Sequence, residues 1–265
     1  MSDYGGLMTA YGYADLADMA MVAPVTLAAT ILRATPLKGD AAADVPAGRT
    51  RYFVEAQVDA LIAGHAEAPA TVRYLADLPA TRKPAKLKGV PVLLLGEFGP
   101  RPGEFRLIGP RGQVPRTADN DKTLRGILTA AVAADTPPAI TGIGHTFHVP
   151  GSLPGESETQ IFLKTANSRP ISLSVLRRPG ETPRWAVALS ELTDASAAPP
   201  APDSFLWYRL ACGLPAALPA SATESLSADD AKAAADDYQV VMSGLGPCHP
   251  ARKEASSTPT PAQSG

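Results

Sequence analysis

The residues from His145 to Gln160 hold the densest group of side chains in this chain that could do chemistry. His148 is followed by Glu156 and Glu158, and a histidine beside paired carboxylates can transfer protons or help to hold a cation. Ser157 lies between the two glutamates and carries a hydroxyl that a base could activate. His148, Glu156, Glu158 and Ser157 are therefore the candidate catalytic residues.

The spacing of the two histidines in this segment argues against a metal site. Apolar β-forming residues surround them, so we expect a strand, on which residues three positions apart point to opposite faces. His145 would share its face with Ile143, Phe147 and Val149 and is expected to be a core residue. His148 would point the other way and is expected to be the more accessible ring. The sequence predicts neither a bound metal nor a cofactor.

The stretch Gly155-Glu-Ser-Glu-Thr159 matches the nucleophile elbow of α/β-hydrolases only in part. Thr159 stands where that motif has a second glycine, and the pattern that follows indicates a β-meander rather than a helix. An α/β-hydrolase is therefore not favoured.

A basic loop supplies the second candidate site. Arg82, Lys83, Lys86 and Lys88 lie between two predicted strands and are the candidate ligand-binding residues. In an OB-like barrel, a loop at this place borders the ligand face and could contact phosphate. Few aromatic rings lie nearby to stack on bases. The alternative interpretation is a solvated loop that protects a sheet edge, so nucleic acid is not favoured as a partner.

Composition indicates a soluble globular chain. Hydrophobic residues make up 45% of the 265 residues and charged residues 19%. The 27 prolines and 22 glycines favour short strands joined by turns over long helices. The net charge of −2 is uneven, because residues 22–118 hold 13 Lys and Arg against 8 Asp and Glu. This basic region leaves anion binding open.

The first half of the chain shows five strand patterns. They fall at 25–34, 51–62, 71–77, 90–95 and 104–108. The second strand alternates apolar and polar residues, whereas the fourth is apolar throughout, which is typical of a strand covered on both faces. Five strands in so short a span predict an OB-like barrel or a two-sheet sandwich over residues 22–118.

The second half mixes helices and strands. An amphipathic helix is predicted over 121–134, with Asp119 or Asn120 as its cap. Strands follow at 140–149, 158–165, 171–177 and 185–192, the last three forming a meander, and short helices follow at 205–212 and 227–242. The predicted fold class is mainly β with some α. The predicted organisation is a segment with a short helix over 1–21, the barrel over 22–118, a helix and antiparallel meander over 119–194, a linker and C-terminal helices over 195–250, and a disordered tail over 251–265.

Compartment and partners are constrained only by what the sequence lacks. No signal peptide and no apolar stretch long enough to span a membrane is recognised, so no membrane partner is expected. Cys212 and Cys248 form neither a metal-binding spacing nor a disulfide framework, which favours a cytoplasmic protein. The sequence leaves open whether these two cysteines pair, what the oligomeric state is, and whether the partner is a small ligand or a protein.

Three functional hypotheses follow. The first is a soluble, non-catalytic binding or structural protein of unknown ligand, because no nucleophile, base and orienting group are seen to converge. The alternative is a hydrolase, metal-dependent or not, with its site around His148, Glu156 and Glu158. The third is weak binding of single-stranded nucleic acid through the basic loop at 82–88.

Overall fold

The computed structural model describes residues 11–65, 67–80, 86–189 and 198–249. It is mainly β, with 37% of the described residues in strands and 26% in helices. The fold class predicted from the sequence is therefore confirmed, including the barrel-like sheet, the meander and the helices. The tail predicted over 251–265 lies outside the described residues, and the domain boundaries stay predictions.

The first sheet is a nearly closed barrel. Its strands are β1 (Val25–Pro36), β2 (Arg49–Ala63), β3 (Thr71–Pro79), β4 (Pro91–Phe98), β5 (Phe105–Leu107) and β6 (Gln113–Pro115). Hydrogen bonding runs in the order β3-β2-β1-β4-β5, and β6 also pairs with β4. A parallel bridge between Arg73 and Glu104 brings β3 next to the start of β5 and almost closes the ring.

Strand patterns decide which faces are buried. Tyr52, Val54 and Ala56 alternate along β2 and point into the barrel. In β4 the continuous apolar run is buried on both sides, as predicted. Leu94 belongs to the barrel interior, whereas Leu93 belongs to a second core that lies outside the barrel wall.

The second sheet and the helices enclose that second core. The sheet order is β10-β9-β8-β7, formed by β7 (Ile140–Pro150), β8 (Ser157–Thr165), β9 (Ile171–Arg177) and β10 (Arg184–Ala188). The helices are α1 (Tyr13–Val22), α2 (Ala118–Val132), α3 (Phe205–Gly213) and α4 (Ala228–Leu245). Side chains from all four helices pack with the inner face of this sheet and with β4.

Several predicted boundaries differ from the structure by a few residues, and α2 and β10 are two examples. Helix α2 begins three residues before its predicted start, because its cap is Thr117 rather than Asp119 or Asn120. The Thr117 hydroxyl accepts the N–H of Asn120. Strand β10 ends at Ala188, and positions 190–192 of its predicted course lie outside the described residues. Within the described ranges, none of the helices combines the length and apolar character needed to cross a lipid bilayer.

Candidate functional site

A cleft of about 740 Å³ lies on the outside of the barrel, and we call it the barrel cleft. One side is the outer face of β2 and β3, and the other is formed by β5 and the turn that precedes it. Its lining includes Arg51, Phe53, Arg73, Leu75, Asp77, Arg101, Pro102, Glu104, Arg106 and Pro110. Strands two and three and the loop between strands four and five form the ligand face of OB-like barrels.

The register of β2 and β3 determines which side chains form the floor of the barrel cleft. Because Tyr52 and Val54 point inward, the residues between and before them point outward. Arg51 pairs with Asp77 across β2 and β3, and Phe53 pairs with Leu75 on the same outer face. The cleft floor is thus an ion pair next to an apolar pair.

Arg51 is held firmly in this floor. Its Nε donates to Asp77 Oδ1 at 2.8 Å, and its Nη1 donates to Asp44 Oδ1 at 2.6 Å. Hydrogen bonding to Arg51 lowers the pKa of Asp44, and hydrogen bonds to Asp77 and Asp44 raise the pKa of Arg51. Both carboxylates therefore neutralise Arg51, whose role in the cleft is structural.

The other arginines of the barrel cleft are less well neutralised. Arg73 Nη2 donates only to the carbonyl oxygen of Pro102, at 2.9 Å. Arg106 pairs with Glu104 at 3.0 Å, with half of its side chain exposed. For the Arg101 guanidinium, the described part of the chain offers no hydrogen-bond or ion-pair partner. The cleft mouth therefore carries more positive than negative charge.

A four-residue turn explains the position of Arg101. In Arg101-Pro-Gly-Glu104, the N–H of Glu104 donates to the Arg101 carbonyl at 2.9 Å, and Gly103 has φ +74°. Proline second and a glycine with positive φ third are the requirements of a type II turn. The Arg73 N–H also donates to the Gly103 carbonyl at 2.7 Å, which ties the turn to β3.

Apolar surface lies beside these charges. Phe53 is 43% exposed and Leu75 is 49% exposed, although both are large hydrophobic residues. A flat ring can stack on an exposed phenyl group, and guanidinium groups attract carboxylate, sulfate and phosphate. The arrangement can therefore bind an anionic ligand that also carries rings.

Sequence reasoning missed this cleft because its arginines come from different elements, one or two at a time. A usable signal was the repeated outward pattern, Arg51-x-Phe53 on one strand and Arg73-x-Leu75 on the next. The sequence instead offers the basic loop as its candidate ligand-binding site, beside the interpretation of a solvated loop. Of its four residues, Arg82 and Lys83 lie outside the described residues, and Lys86 and Lys88 are exposed.

The four candidate catalytic residues lie in different surroundings. Glu158 is exposed on the outer face of the second sheet, opposite Val149. The His148 side chain, only 6% exposed, lies on the inner face, and Ser157 is buried. Glu156 folds back over its own loop, where Oε2 accepts the N–H of Leu153 at 3.4 Å. The catalytic assignment of these residues stays a prediction.

The expected exposure of the two histidines is wrong. His145 is exposed and stacks on Phe162, with ring centroids 4.6 Å apart, while the side chain of His148 is almost completely covered. The cause is an irregularity in the β7–β8 register between Ile143 and Thr146, which reverses the alternation of faces. Phe147 still shares a face with His145, but that face is the exposed one.

His148 belongs to a buried polar network that joins the second sheet to α4. Its Nδ1 lies 2.7 Å from Thr159 Oγ1, and the Thr159 hydroxyl donates to Asp237 Oδ2. Because a hydroxyl has one hydrogen to give, His148 Nδ1 must carry the proton that Thr159 accepts. Arg177 Nε donates to Asp237 Oδ1 at 2.5 Å, so the fully buried carboxylate has a cationic partner.

Cys212 and Cys248 form a disulfide that ties the end of α4 to α3. This settles the pairing that the sequence left open. In the described part of the chain, no group of three or more His, Cys, Asp or Glu side chains could hold a metal ion.

No family model matches this chain, and a search of the curated proteins finds no relative. Its function has to be argued from the site alone.

Proposed function

We propose that this chain is a non-catalytic binding protein that holds an anionic, ring-containing ligand in the barrel cleft. One observation supports this most directly. Arg73, Arg101 and Arg106 surround a cleft in which the Arg101 guanidinium has no partner among the described residues and the Arg73 guanidinium bonds only to a carbonyl. Cationic groups left without carboxylates around a concave surface are the expected complement of an anion.

The size of the barrel cleft supports the proposal. Its volume of about 740 Å³ is within the range of small-molecule sites. The exposed Phe53 and Leu75 offer a stacking surface beside the arginines. A small inorganic anion would not use this apolar surface, whereas a ligand with rings would. Glu104 and Asp77 add acceptors for hydroxyl or amino groups.

Two kinds of ligand share this chemistry, namely acidic oligosaccharides and single-stranded oligonucleotides. Both are anionic chains that carry rings, and OB-like barrels bind both classes on this face. The disulfide favours a protein that resides in an oxidising compartment rather than the cytoplasm predicted from the sequence. Nucleic acid is scarcer there, so the acidic oligosaccharide is the favoured ligand.

Isothermal titration calorimetry with two probes tests the proposal. The probes are a heparin-derived hexasaccharide and an oligodeoxythymidylate of roughly twelve residues, each titrated at about 50 and 300 mM NaCl. We expect the hexasaccharide to bind more tightly, with an affinity that falls at least about tenfold as salt rises. Tighter binding of the oligonucleotide would identify nucleic acid as the ligand class. If neither probe binds, the proposal is wrong.

A charge-reversal variant links binding to the barrel cleft. Arg73→Glu combined with Arg101→Glu should weaken hexasaccharide binding by about tenfold or more. Arg33→Glu combined with Arg178→Glu is the matched control, because it changes the net charge by the same amount and both arginines are exposed outside the cleft lining. An equal loss in both variants would show that only the total charge matters and would contradict a specific site.

The hydrolase hypothesis has less geometric support. His148 and Glu158 lie on opposite faces of the second sheet, and His148 is sealed between Thr159 and the core. The same titrations check this alternative, because turnover of a probe would appear as continuous heat after each injection.

A further inference from the structure

The outer face of the second sheet exposes large apolar side chains on its β7 and β8 half. Phe147 is 50% exposed and Val149 is 62% exposed. The centroid of the Phe147 ring lies 5.1 Å from that of His145 and 5.9 Å from that of Phe162, so the rings form one continuous patch. A continuous exposed apolar patch marks a surface that meets another molecule, whereas scattered apolar residues do not.

The β9 and β10 half of the same face is lower, because small side chains continue the rows in which the rings lie. These side chains are Ser172, Ser174, Ala186 and Ala188. Strand register puts Ser174 and Ala186 in the row of Phe147. It puts Ser172 and Ala188 in the row of Phe162. The face is therefore a ridge of rings, two strands wide, beside a trough of the same width, and we call the two halves the ridge and the trough.

We propose that this chain forms a dimer in which the outer faces of two second sheets pack against each other. The two-fold axis runs parallel to the strands, between β8 and β9. A half-turn about this axis lays the ridge of each copy into the trough of the other, so that Phe147 lies over Ala186 of the second copy. Phe162 lies over Ser172 of the second copy in the same way. Face-to-face packing is the usual way in which two sheets cover each other, and a two-fold interface uses the same surface on both subunits.

The polar groups of the face are complementary under the same half-turn. Glu158 and Arg184 lie in one row, on β8 and β10, and both are exposed. Within the described ranges the Glu158 carboxylate has no partner, and Arg184 has only Glu181, at 3.4 Å and open to water. The half-turn brings Glu158 of each copy beside Arg184 of the other. It also sets the Gln160 amide against the Ser174 hydroxyl, which can exchange a hydrogen bond.

The size of the face determines how strong the dimer can be. Four strands of about seven residues cover roughly 400 Å² on each copy, measured flat. Specific interfaces of standard size bury about 800 Å² per partner, so we expect a transient dimer with a dissociation constant in the micromolar range. The dimer does not depend on the proposed function, because the barrel cleft is lined by other residues.

Sedimentation velocity of the full chain, without added ligand, tests the dimer. Over concentrations from about 1 to 200 μM, we expect the sedimentation coefficient to rise from that of a monomer to that of a dimer, because a micromolar dissociation constant lies within this range. A monomer at every concentration, or assembly beyond a dimer, would overturn the proposal. Either result would leave the proposal for the barrel cleft untouched.

A charged variant on the ridge links the dimer to this face. Phe147→Arg should weaken association at least about tenfold, because the dimer would have to remove an unpaired guanidinium from water. Val132→Arg is the matched control, because it adds the same charge at a position of α2 that is 83% exposed, and α2 packs on the inner side of the second sheet. Circular dichroism checks that both variants are folded. Unchanged association in Phe147→Arg, or an equal loss in both variants, would contradict this interface.

Exchanging the two charges tests the direction of the axis. Glu158→Arg and Arg184→Glu each bring like charges together across the interface, so each alone should weaken association about fivefold or more at roughly 50 mM salt. The double variant restores opposite charges in exchanged positions and should return the dissociation constant to within about twofold of its original value. If the double variant associates as weakly as the single ones, the two sheets do not pack about this axis and the proposal is wrong.

Discussion

The two sheets use polar groups in opposite ways. The barrel interior is almost entirely apolar, and the hydroxyl of its Tyr74 reaches Gln113 at 2.8 Å. The inner face of the second sheet instead buries a charged group, Asp237, with Thr159 and Arg177 as partners. The barrel keeps its ionic chemistry outside, where a ligand can reach it. The second sheet uses buried charge to fix the position of α4.

The outer faces of the two sheets also differ, because the barrel exposes charged groups and the second sheet exposes mainly aromatic rings. In the barrel cleft, arginines lie beside one exposed phenyl ring. On the second sheet, His145, Phe147 and Phe162 form a cluster of rings within 6 Å of one another. Guanidinium groups with incomplete partners indicate the chemistry of a ligand, whereas neutral rings alone do not. The binding function is therefore proposed for the barrel rather than for the second sheet.

An identical turn in both sheets shows how much the surroundings matter. Arg101-Pro-Gly-Glu104 precedes β5, and Arg178-Pro-Gly-Glu181 joins β9 to β10. Both have a glycine with positive φ in third position and a hydrogen bond from the glutamate N–H back to the arginine carbonyl. The first turn is tied to a neighbouring strand by the hydrogen bond from Arg73 to Gly103 and lines the barrel cleft, whereas the described backbone hydrogen bonds of the second turn stay within the turn.

The largest expected effect comes from removing the buried carboxylate of α4 that contacts the second sheet. Asp237→Ala leaves Arg177 and Thr159 without their acceptor and should lower the free energy of unfolding by about 3–5 kcal/mol. Asp236→Ala, at the exposed neighbouring position, should change it by less than about 0.5 kcal/mol. Urea unfolding followed by circular dichroism measures both. Similar values for the two variants would mean that the buried network does not stabilise the fold.

Removing the disulfide should have the next largest effect. Cys212 and Cys248 are 36 positions apart, and closing a loop of that length restricts the unfolded chain. The double change Cys212→Ala and Cys248→Ala should cost about 3–4 kcal/mol in urea unfolding. Hexasaccharide binding by the folded variant should not change, because neither cysteine lines the barrel cleft. A cost below about 1 kcal/mol would contradict the entropic argument.

A glycine substitution in the barrel should act more weakly on stability but directly on the barrel cleft. A Cβ at Gly96 would overlap the carbonyl oxygen of Arg106, so Gly96→Ala must push β5 away from β4. We expect a cost of about 1–3 kcal/mol and weaker hexasaccharide binding. Gly126→Ala in α2 meets nothing within 4 Å and should stabilise the chain by about 0.5–1 kcal/mol. If Gly96→Ala binds the hexasaccharide as tightly as the unchanged chain, β5 does not contribute to the binding site.

The sequence predicts most elements of this fold because their patterns are local. Alternation in β2, the apolar run of β4 and the stripe of α2 each depend on neighbouring residues and are confirmed. The sites depend on residues far apart in the chain, such as Arg73 and Arg101, which no local pattern joins. One local signal was present but ambiguous, because Asp237 interrupts the apolar stripe of Ala234, Val241 and Leu245 in α4. A lone acidic residue in the stripe of a helix does not reveal that its partners, here Thr159 and Arg177, lie on strands far away in the sequence.

The face assignments of β7 failed for a related reason. Alternation predicts faces only while the strand stays regular, and a single irregularity shifts every later residue to the other face. Gly142 has φ +157° and lies between two irregularities of the β7–β8 register, so a glycine at this place marks where the alternation breaks. His145 and His148 follow it, and both were assigned to the wrong environment.

The last prediction concerns the loss of stability in alkali, which has no effect near neutral pH. Burial raises the pKa of Tyr238 to about 12, and burial together with a hydrogen bond to Asp18 raises that of Tyr208 to about 12. An unfolded tyrosine ionises near pH 10, so the folded state binds these protons more tightly. The stabilisation is complete below about pH 10 and is lost as pH rises towards 12. Urea midpoints at about pH 8, 9 and 11 should be equal for the first pair and lower at the third. In Tyr238→Phe the drop of the urea midpoint at the highest pH should shrink, because one of the buried phenols is gone. An unchanged drop would place the alkaline sensitivity elsewhere, for instance at Tyr74 in the barrel, because burial also raises the pKa of Tyr74.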